Sequence, residues 1–399
     1  MIRPLVLLFL IIGAPAAAFA SEDAEFSLRS IPISEWLNAG EGAEIPWRVT
    51  VREAQLRMDQ RLEVTYFANI SAKDLNRSGN QHDLYLVSRI SSPDAEWLNE
   101  PIVIRNTIEK ELPKNVSAQF IMRVSVQPGD YVLWLVLYDR KTGKHNVAKR
   151  RVKVDEIRND PLPTAFEHLP LVEFPQQTED GGLGFLSSEL FLPVKNKGPL
   201  EVQLISTLSP PEQWANRGRM IRNHNLNTIG ALAALSQLEL GSGSISATGL
   251  DLSRHEVLFE QKDFQKIDWK ALAEALTKAN STLISTKALE GRKSNGAFFR
   301  EVLAQRLAED GSSKERPVRV IIVVTSSLLF EKGSDLEPLQ LAGDCRCRIY
   351  HLRFRLNLND VFDQLANFMK PLRPRTFNLT TAYDLRKAIA EILEDLRNL

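Results

Sequence analysis

The side chains best suited to chemistry lie in the second half of the chain. Residues 348–355 read as a strand, and His351, Arg353 and Arg355 alternate along it, so they share one face. Tyr350, Leu352, Phe354 and Leu356 point the other way. Two guanidinium groups at a strand end are suited to holding a partner's carboxylate through paired hydrogen bonds. Ser326-Ser327 follows the β-branched run Val318–Val324, a place where a nucleophile can stand, but no base can be named beside it. The 6 histidines (82, 145, 168, 224, 255 and 351) show no HExxH or paired-ligand spacing, and the chain has no Gly-x-Ser-x-Gly elbow. Gly241-Ser242-Gly243-Ser244 lacks the third glycine and the Lys-Ser/Thr of a phosphate loop, and it precedes a strand, so it reads as a flexible turn. Cys345 and Cys347 are the 2 cysteines. Their spacing in a strand points them to the same face, where a bond would close a small ring. Two buried or half-buried thiols and a labile or intermolecular disulfide both fit.

Composition narrows the classes of function. The chain has 399 residues, with Lys+Arg and Asp+Glu at 50 each, so no net charge directs it to nucleic acid or another polyanion as main partner. Lys149-Arg150-Arg151 with Lys153 is a small basic cluster that reads as an exposed strand face. Two cysteines support neither a disulfide scaffold nor a Cys-based zinc site. Residues 1–20 read as a signal peptide: Arg3, then the apolar Leu5–Ile12, then Ala18-Phe19-Ala20, then the polar Ser21-Glu22-Asp23. The apolar stretch is short for a spanning helix, and Gly13 and Pro15 interrupt it. No later segment has spanning length, so the expectation is an exported chain, periplasmic or secreted, with no membrane span after cleavage. Asn69, Asn76, Asn115, Asn280 and Asn378 stand in sequons that matter only in a eukaryotic secretory pathway.

Two grammars follow. Residues 21–155 read as a β-sandwich domain of short strands separated by turn signals: 47–51, 62–67, 84–87, 120–126, 131–138 and 147–154. Ser71 to His82 reads as a polar loop, and Asp139–Lys144 as a hairpin. The Pro128-Gly129-Asp130-Tyr131 entry into a strand apolar on both faces resembles a late strand of an immunoglobulin-like sandwich. Residues 156–199 read as a connector, with Pro161, Pro163, Pro170, Pro175, Pro193 and Gly181-Gly182-Leu183-Gly184. From 200 strands and helices alternate: strand 200–205, helix 214–240 with Asn223-His224-Asn225 as a possible break, strands 245–250 and 256–261, and a helix from Asp268. A helix from Phe298, the central strand 318–324, the strand 348–355, a helix from Asp360, a short strand 376–379 and a closing helix capped by Thr380 or Thr381 complete it.

The consecutive strands 245–250 and 256–261, the ending Arg375-Thr376-Phe377-Asn378-Leu379-Thr380-Thr381 and the lead-in Phe191-Leu192-Pro193-Val194 resemble exported bacterial proteins related to von Willebrand factor A. The resemblance implies an N-terminal all-β immunoglobulin-like sandwich followed by a doubly wound α/β von Willebrand factor A-like domain over 200–399. It also implies a divalent-metal site at the C-terminal edge of the sheet. There the family's Asp-x-Ser-x-Ser run corresponds to Ser206, Leu208 and Pro210, its Thr to Ser294, and its second Asp to Ser326. Both carboxylates are missing, and neutral hydroxyls alone strip little water from Mg²⁺. The expectation is therefore a degenerate site with no metal and no cofactor. The function expected is a non-enzymatic protein-interaction module, with His351, Arg353 and Arg355 facing an unidentified protein partner. The alternatives are metal-dependent adhesion through other ligands and a cryptic hydrolase built on Ser326.

Overall fold

A computed structural model describes residues 31–176, 186–209, 218–280, 295–308, 317–328, 339, 347–355 and 364–399. Residues 1–20, which read as a signal peptide in sequence, and Cys345, Pro210 and Ser294 lie outside them. The chain divides into two compact units. The first comprises residues up to 55, 61–158 and 169–188. The second comprises 56–60, 159–168 and 189–399.

The first unit contains α1 (Ile33–Ala39), β1 (Gly42–Ala43), β2 (Arg48–Val51), β3 (Leu62–Ser71), α2 (Ala72–Ser78), β4 (His82–Ser91), β5 (Ile102–Ile108), β6 (Ser117–Val126), β7 (Gly129–Asp139), β8 (His145–Val154) and β9 (Val172–Glu173). One antiparallel sheet runs β1-β8-β7-β4-β5, and a second contains β9-β6-β3-β2. Alternation explains β3, whose Leu62, Val64, Tyr66, Ala68 and Ile70 are buried while their neighbours are only partly covered. The two sheets share one core. Tyr66 of β3 and Ser88 of β4 hydrogen-bond through it at 2.6 Å, both fully buried. Burial outweighs that bond and pushes the Tyr66 phenol above its ordinary range. The hairpin after β7 is closed by Asp139, which accepts from His82 at 2.8 Å and Thr142 at 2.7 Å, and from the backbone N–H of Asp83 and Lys141. Burial alone would raise the Asp139 carboxyl, but these donors together hold it below its usual value.

The second unit contains β10 (Leu192–Val194), β11 (Leu200–Thr207), α3 (Gly218–Leu235), β12 (Leu238–Leu240), β13 (Gly243–Asp251), β14 (Glu256–Phe264), α4 (Trp269–Asn280), α5 (Asn295–Ala308), β15 (Val318–Ser326), β16 (Cys347–Phe354), α6 (Gln364–Met369), β17 (Arg375–Leu379) and α7 (Ala382–Arg397). A six-stranded sheet has the order β14-β13-β11-β15-β16-β17. Its pairs are parallel except β13–β14, which is antiparallel. Val320 to Val324 of β15 are all fully buried, which is why that strand is apolar on both faces. Gly243 opens β13 at φ 144°, and a Cβ there would come within 2.1 Å of the Leu200 carbonyl oxygen, so only glycine fits.

The expected fold class is corrected by this architecture. The described residues are mostly β, 41% strand against 26% helix, spread over several sheets. It is not an all-β immunoglobulin-like sandwich followed by a doubly wound α/β von Willebrand factor A-like domain. The supposed loop after Ser71 holds α2, whose first turn is capped by the Ser71 hydroxyl accepting from the Asp74 N–H at 3.1 Å. The helix expected to reach Leu240 stops at Leu235. Leu238–Leu240 instead pairs in parallel with Leu192–Val194, making a separate two-stranded sheet from what reads as connector. The six-stranded sheet is mixed. The link from Asp251 to Glu256 is far shorter than the dozen or more residues a parallel crossover needs, so β14 must run antiparallel.

Arg386 of α7 is fully buried and ties together the separate stretches of the second unit. Its Nε and Nη2 donate to the two carboxylate oxygens of Asp160 at 2.6 and 2.8 Å. Nη2 also donates to Leu162 O at 2.8 Å, Nη1 to Gln60 O at 3.5 Å, and the Phe166 ring lies 4.7 Å beneath. Arg386→Met should lower the unfolding free energy by about 3–5 kcal/mol, because it strands the Asp160 carboxylate and the carbonyls it holds. Urea unfolding followed by circular dichroism reads this, and an unchanged midpoint would show that the cluster contributes little.

Candidate functional site at the sheet edge

The C-terminal ends of β11 and β15 lie side by side, with Ser206 registered opposite Val324. Helix α3 packs against both strands. Its buried face carries His224, Thr228, Ala231, Leu232 and Leu235, a helical repeat with a histidine in the first apolar slot. The imidazole of His224 is fully buried between the two strand ends. Nε2 donates to Thr207 O at 3.1 Å, so Nδ1 carries no proton and accepts from the Ser326 hydroxyl at 2.8 Å. Burial drives the His224 pKa down to about 4, even though its carbonyl contacts with Thr207 and Ser209 favour the charged form.

Reading residues in order does not find this pairing. Asn223-His224-Asn225 suggests a helix break, whereas the helix runs through it. The usable signal is the spacing of His224 from Thr228, Ala231 and Leu235, which places it on the apolar face.

Each expected site residue has a defined place. Ser206 and Ser326 are fully buried at the ends of neighbouring strands. Leu208 is equally buried; its N–H donates to Leu250 O at 2.8 Å, and its side chain fills the space against Gly249, where a Cβ would come within 2.6 Å of it. Pro210 and Ser294 lie outside the described residues. Asp251 is the carboxylate at the end of β13, but its own turn engages it. Its Oδ1 accepts from Ser253 N–H, Ser253 O–H and Arg254 N–H, and Arg254 Nη1 stands 3.4 Å from its Oδ2. Among the described residues no group of three His, Cys, Asp or Glu is placed to hold a metal ion.

The face-sharing expected of His351, Arg353 and Arg355 is corrected in one respect. His351 is fully buried and bonds to the Thr325 hydroxyl at 3.0 Å, so it cannot meet a partner at the surface. Burial, and after it the Arg353 charge, drive its pKa down to about 3. Arg353 is half-buried, and its Nε donates to Asn378 Oδ1 at 2.8 Å. Arg355 is also half-buried at the end of β16, and its backbone N–H donates to Leu379 O at 2.9 Å. Cys347 is disulfide-bonded, which removes the free-thiol reading for it.

The assembled edge is a neutral, buried network flanked by half-exposed arginines. The hydroxyl of Ser206 and that of Thr207 have no hydrogen-bond partner among the described residues. Ser326 and His224 stand as nucleophile and base do. However, a base with a pKa near 4 takes a proton poorly at neutral pH, and both groups are fully buried.

No family model matches the chain, and no curated protein matches it. Among solved structures it is similar to a family 123 glycoside hydrolase from Clostridium perfringens, at 7% identity and a TM-score of 0.28, over 84% of this chain and 72% of that one. It is similar to structural-genomics target SoR45 at 12% identity and a TM-score of 0.19, over 27% and 86%. It is similar to a β-glucosidase from Listeria innocua at 8% identity and a TM-score of 0.18, over 29% and 17%. Likenesses this distant decide neither fold nor function.

The two depressed histidines set a pH dependence. Below about pH 6.5 the unfolded chain binds protons that folded His224 and His351 refuse. Stability is therefore fully present above pH 6.5 and is lost as pH falls toward 4. His224 alone accounts for about 3 kcal/mol over that range. Urea midpoints measured from pH 7.5 to 4.5 should fall steadily, and His224→Gln should flatten the fall. An identical slope in the variant would mean that His224 titrates normally in the folded chain.

Proposed function

We propose that this chain is an exported, non-enzymatic protein-interaction module that recognises its partner without metal. Export rests on residues 1–20. The observation that carries the reading is the His224 imidazole bonded between Thr207 and Ser326. It fills the space between the two strand ends with a neutral cross-link, and only hydroxyls and aliphatic groups stand at Ser206, Leu208 and Ser326. Such a donor set competes poorly with water for Mg²⁺. Beside it, Arg353 and Arg355 supply fixed positive charge at the strand end, with Arg353 oriented by Asn378. A guanidinium held in this way is suited to a carboxylate on a partner protein. No helix among the described residues is long and apolar enough to cross a membrane.

The test is affinity capture from host extract with wild type and the Arg353→Ala/Arg355→Ala double variant, each with and without EDTA. The reading expects one protein held by wild type in EDTA and lost by the variant. Capture abolished by EDTA would favour metal-dependent adhesion, and capture unaffected by the double substitution would remove the arginines from the interface.

The 2.8 Å contact between Ser326 and His224 favours a second reading, a serine hydrolase. A fluorophosphonate probe decides it. Burial of both groups leads us to expect no labelling of the native chain, whereas labelling lost in Ser326→Ala would establish a reactive serine and displace the binding reading.

A further inference from the structure

The outer face of the first unit's β1-β8-β7-β4-β5 sheet carries a row of side chains that the sheet-edge reading does not use. Cross-strand register puts Arg89 of β4 beside Trp134 of β7, and Trp134 beside Lys149 of β8. The next row toward the hairpin is Val87, Val136 and Val147, buried beneath Ile33, Trp36 and Leu37 of α1. Helix α1 therefore roofs one part of the face. The Arg89-Trp134-Lys149 row has a different neighbour. The segment after β4 folds back through a Ser91–Trp97 bridge and a Leu98 N–H to Ile90 O bond of 2.9 Å, which brings Trp97 over the row.

The result is a continuous chain of rings and cations. The Arg89 guanidinium lies 4.2 Å from the Trp97 ring, Trp97 meets Trp134 edge-on at 6.3 Å, and the Lys149 ammonium lies 4.5 Å from the Trp134 ring. Trp97 remains 37% exposed, high for so large an apolar side chain. Among the described residues neither Arg89 nor Lys149 has an ion-pair partner. One oxygen of the Glu41 carboxylate accepts the Lys149 backbone N–H and pairs with the Arg150 guanidinium, both at 2.8 Å. Arg151, exposed one row further along β8, adds a third cation.

We propose that this row binds an anionic glycan, a polymer of uronate-type sugars. A pyranose presents a C–H face that stacks on an indole, and its carboxylate suits a cation held beside that indole. The charge on the face is complementary to such a polymer and to no neutral one. A polypeptide partner fits less well. At this row β7 has strand neighbours on both sides, the 97–99 segment lies beside β4, and Glu41 takes the Lys149 backbone N–H of β8, so the backbone there offers little for a peptide strand to pair with. This inference concerns the first unit alone and does not rest on the sheet-edge reading.

The experiment titrates the full chain with oligogalacturonate, with neutral malto-oligosaccharide and with poly-L-glutamate, read by tryptophan fluorescence and calorimetry. Oligogalacturonate should bind, more weakly as salt rises. Trp97→Ala should weaken it about tenfold, and Lys149→Gln several-fold. Both changes lie on the surface, and an unchanged melting temperature checks that each variant folds. No binding of oligogalacturonate, equal binding of malto-oligosaccharide, equal or tighter binding of poly-L-glutamate, or undiminished binding by Trp97→Ala would each overturn the proposal. Tight poly-L-glutamate binding would identify the face as a site for acidic polypeptide instead.

Discussion

A guanidinium with no exposed surface needs a full set of acceptors, and Arg386 obtains them from stretches of chain far apart in sequence. Asp160 supplies both carboxylate oxygens, and Leu162 and Gln60 supply carbonyls. Gln60 in turn holds a left-handed backbone at φ 65° and donates its side-chain amide to Ala382 O at 3.1 Å, at the start of the same helix. The second unit is therefore not a contiguous domain. It includes 56–60 and 159–168 because a buried cation on α7 is tolerable only with them in place. Helix α7 is itself set by a reciprocal cap, in which Thr381 and Asp384 satisfy each other's backbone N–H.

The same requirement, that buried polar groups find partners, shapes the sheet edge. Strand ends rich in serine and threonine become buried there, and a histidine from the covering helix joins two of them. The imidazole acts as a neutral strut because burial keeps it unprotonated and because Thr207 O fixes its tautomer. His351 repeats the solution one strand over with Thr325. Arg353 and Arg355 stand half-buried where β16 ends.

The first unit solves a different problem. A sheet has two faces, and its outer one must be covered or made compatible with water. Here α1 covers the valine row, while the neighbouring row combines indoles with cations whose charged heads stay near solvent.

Local pattern determined a good deal. The alternation of β3, the doubly apolar β7 and β15, the Asp139 hairpin, the cap of α7 and the hydroxyls at Ser206 and Ser326 are all properties of adjacent residues, and periodicity and capping act over adjacent residues. Tertiary structure decided the rest. Pairing Leu192–Val194 with Leu238–Leu240, drawing 159–168 onto Arg386, bonding His224 to Ser326 and bringing Trp97 to Trp134 each join residues distant in sequence. Such contacts depend on which surfaces meet in the folded chain, and composition and spacing do not record that. The mixed, mostly β architecture follows for the same reason. A short apolar stretch such as Leu238–Leu240 is helical or extended according to the strand available beside it.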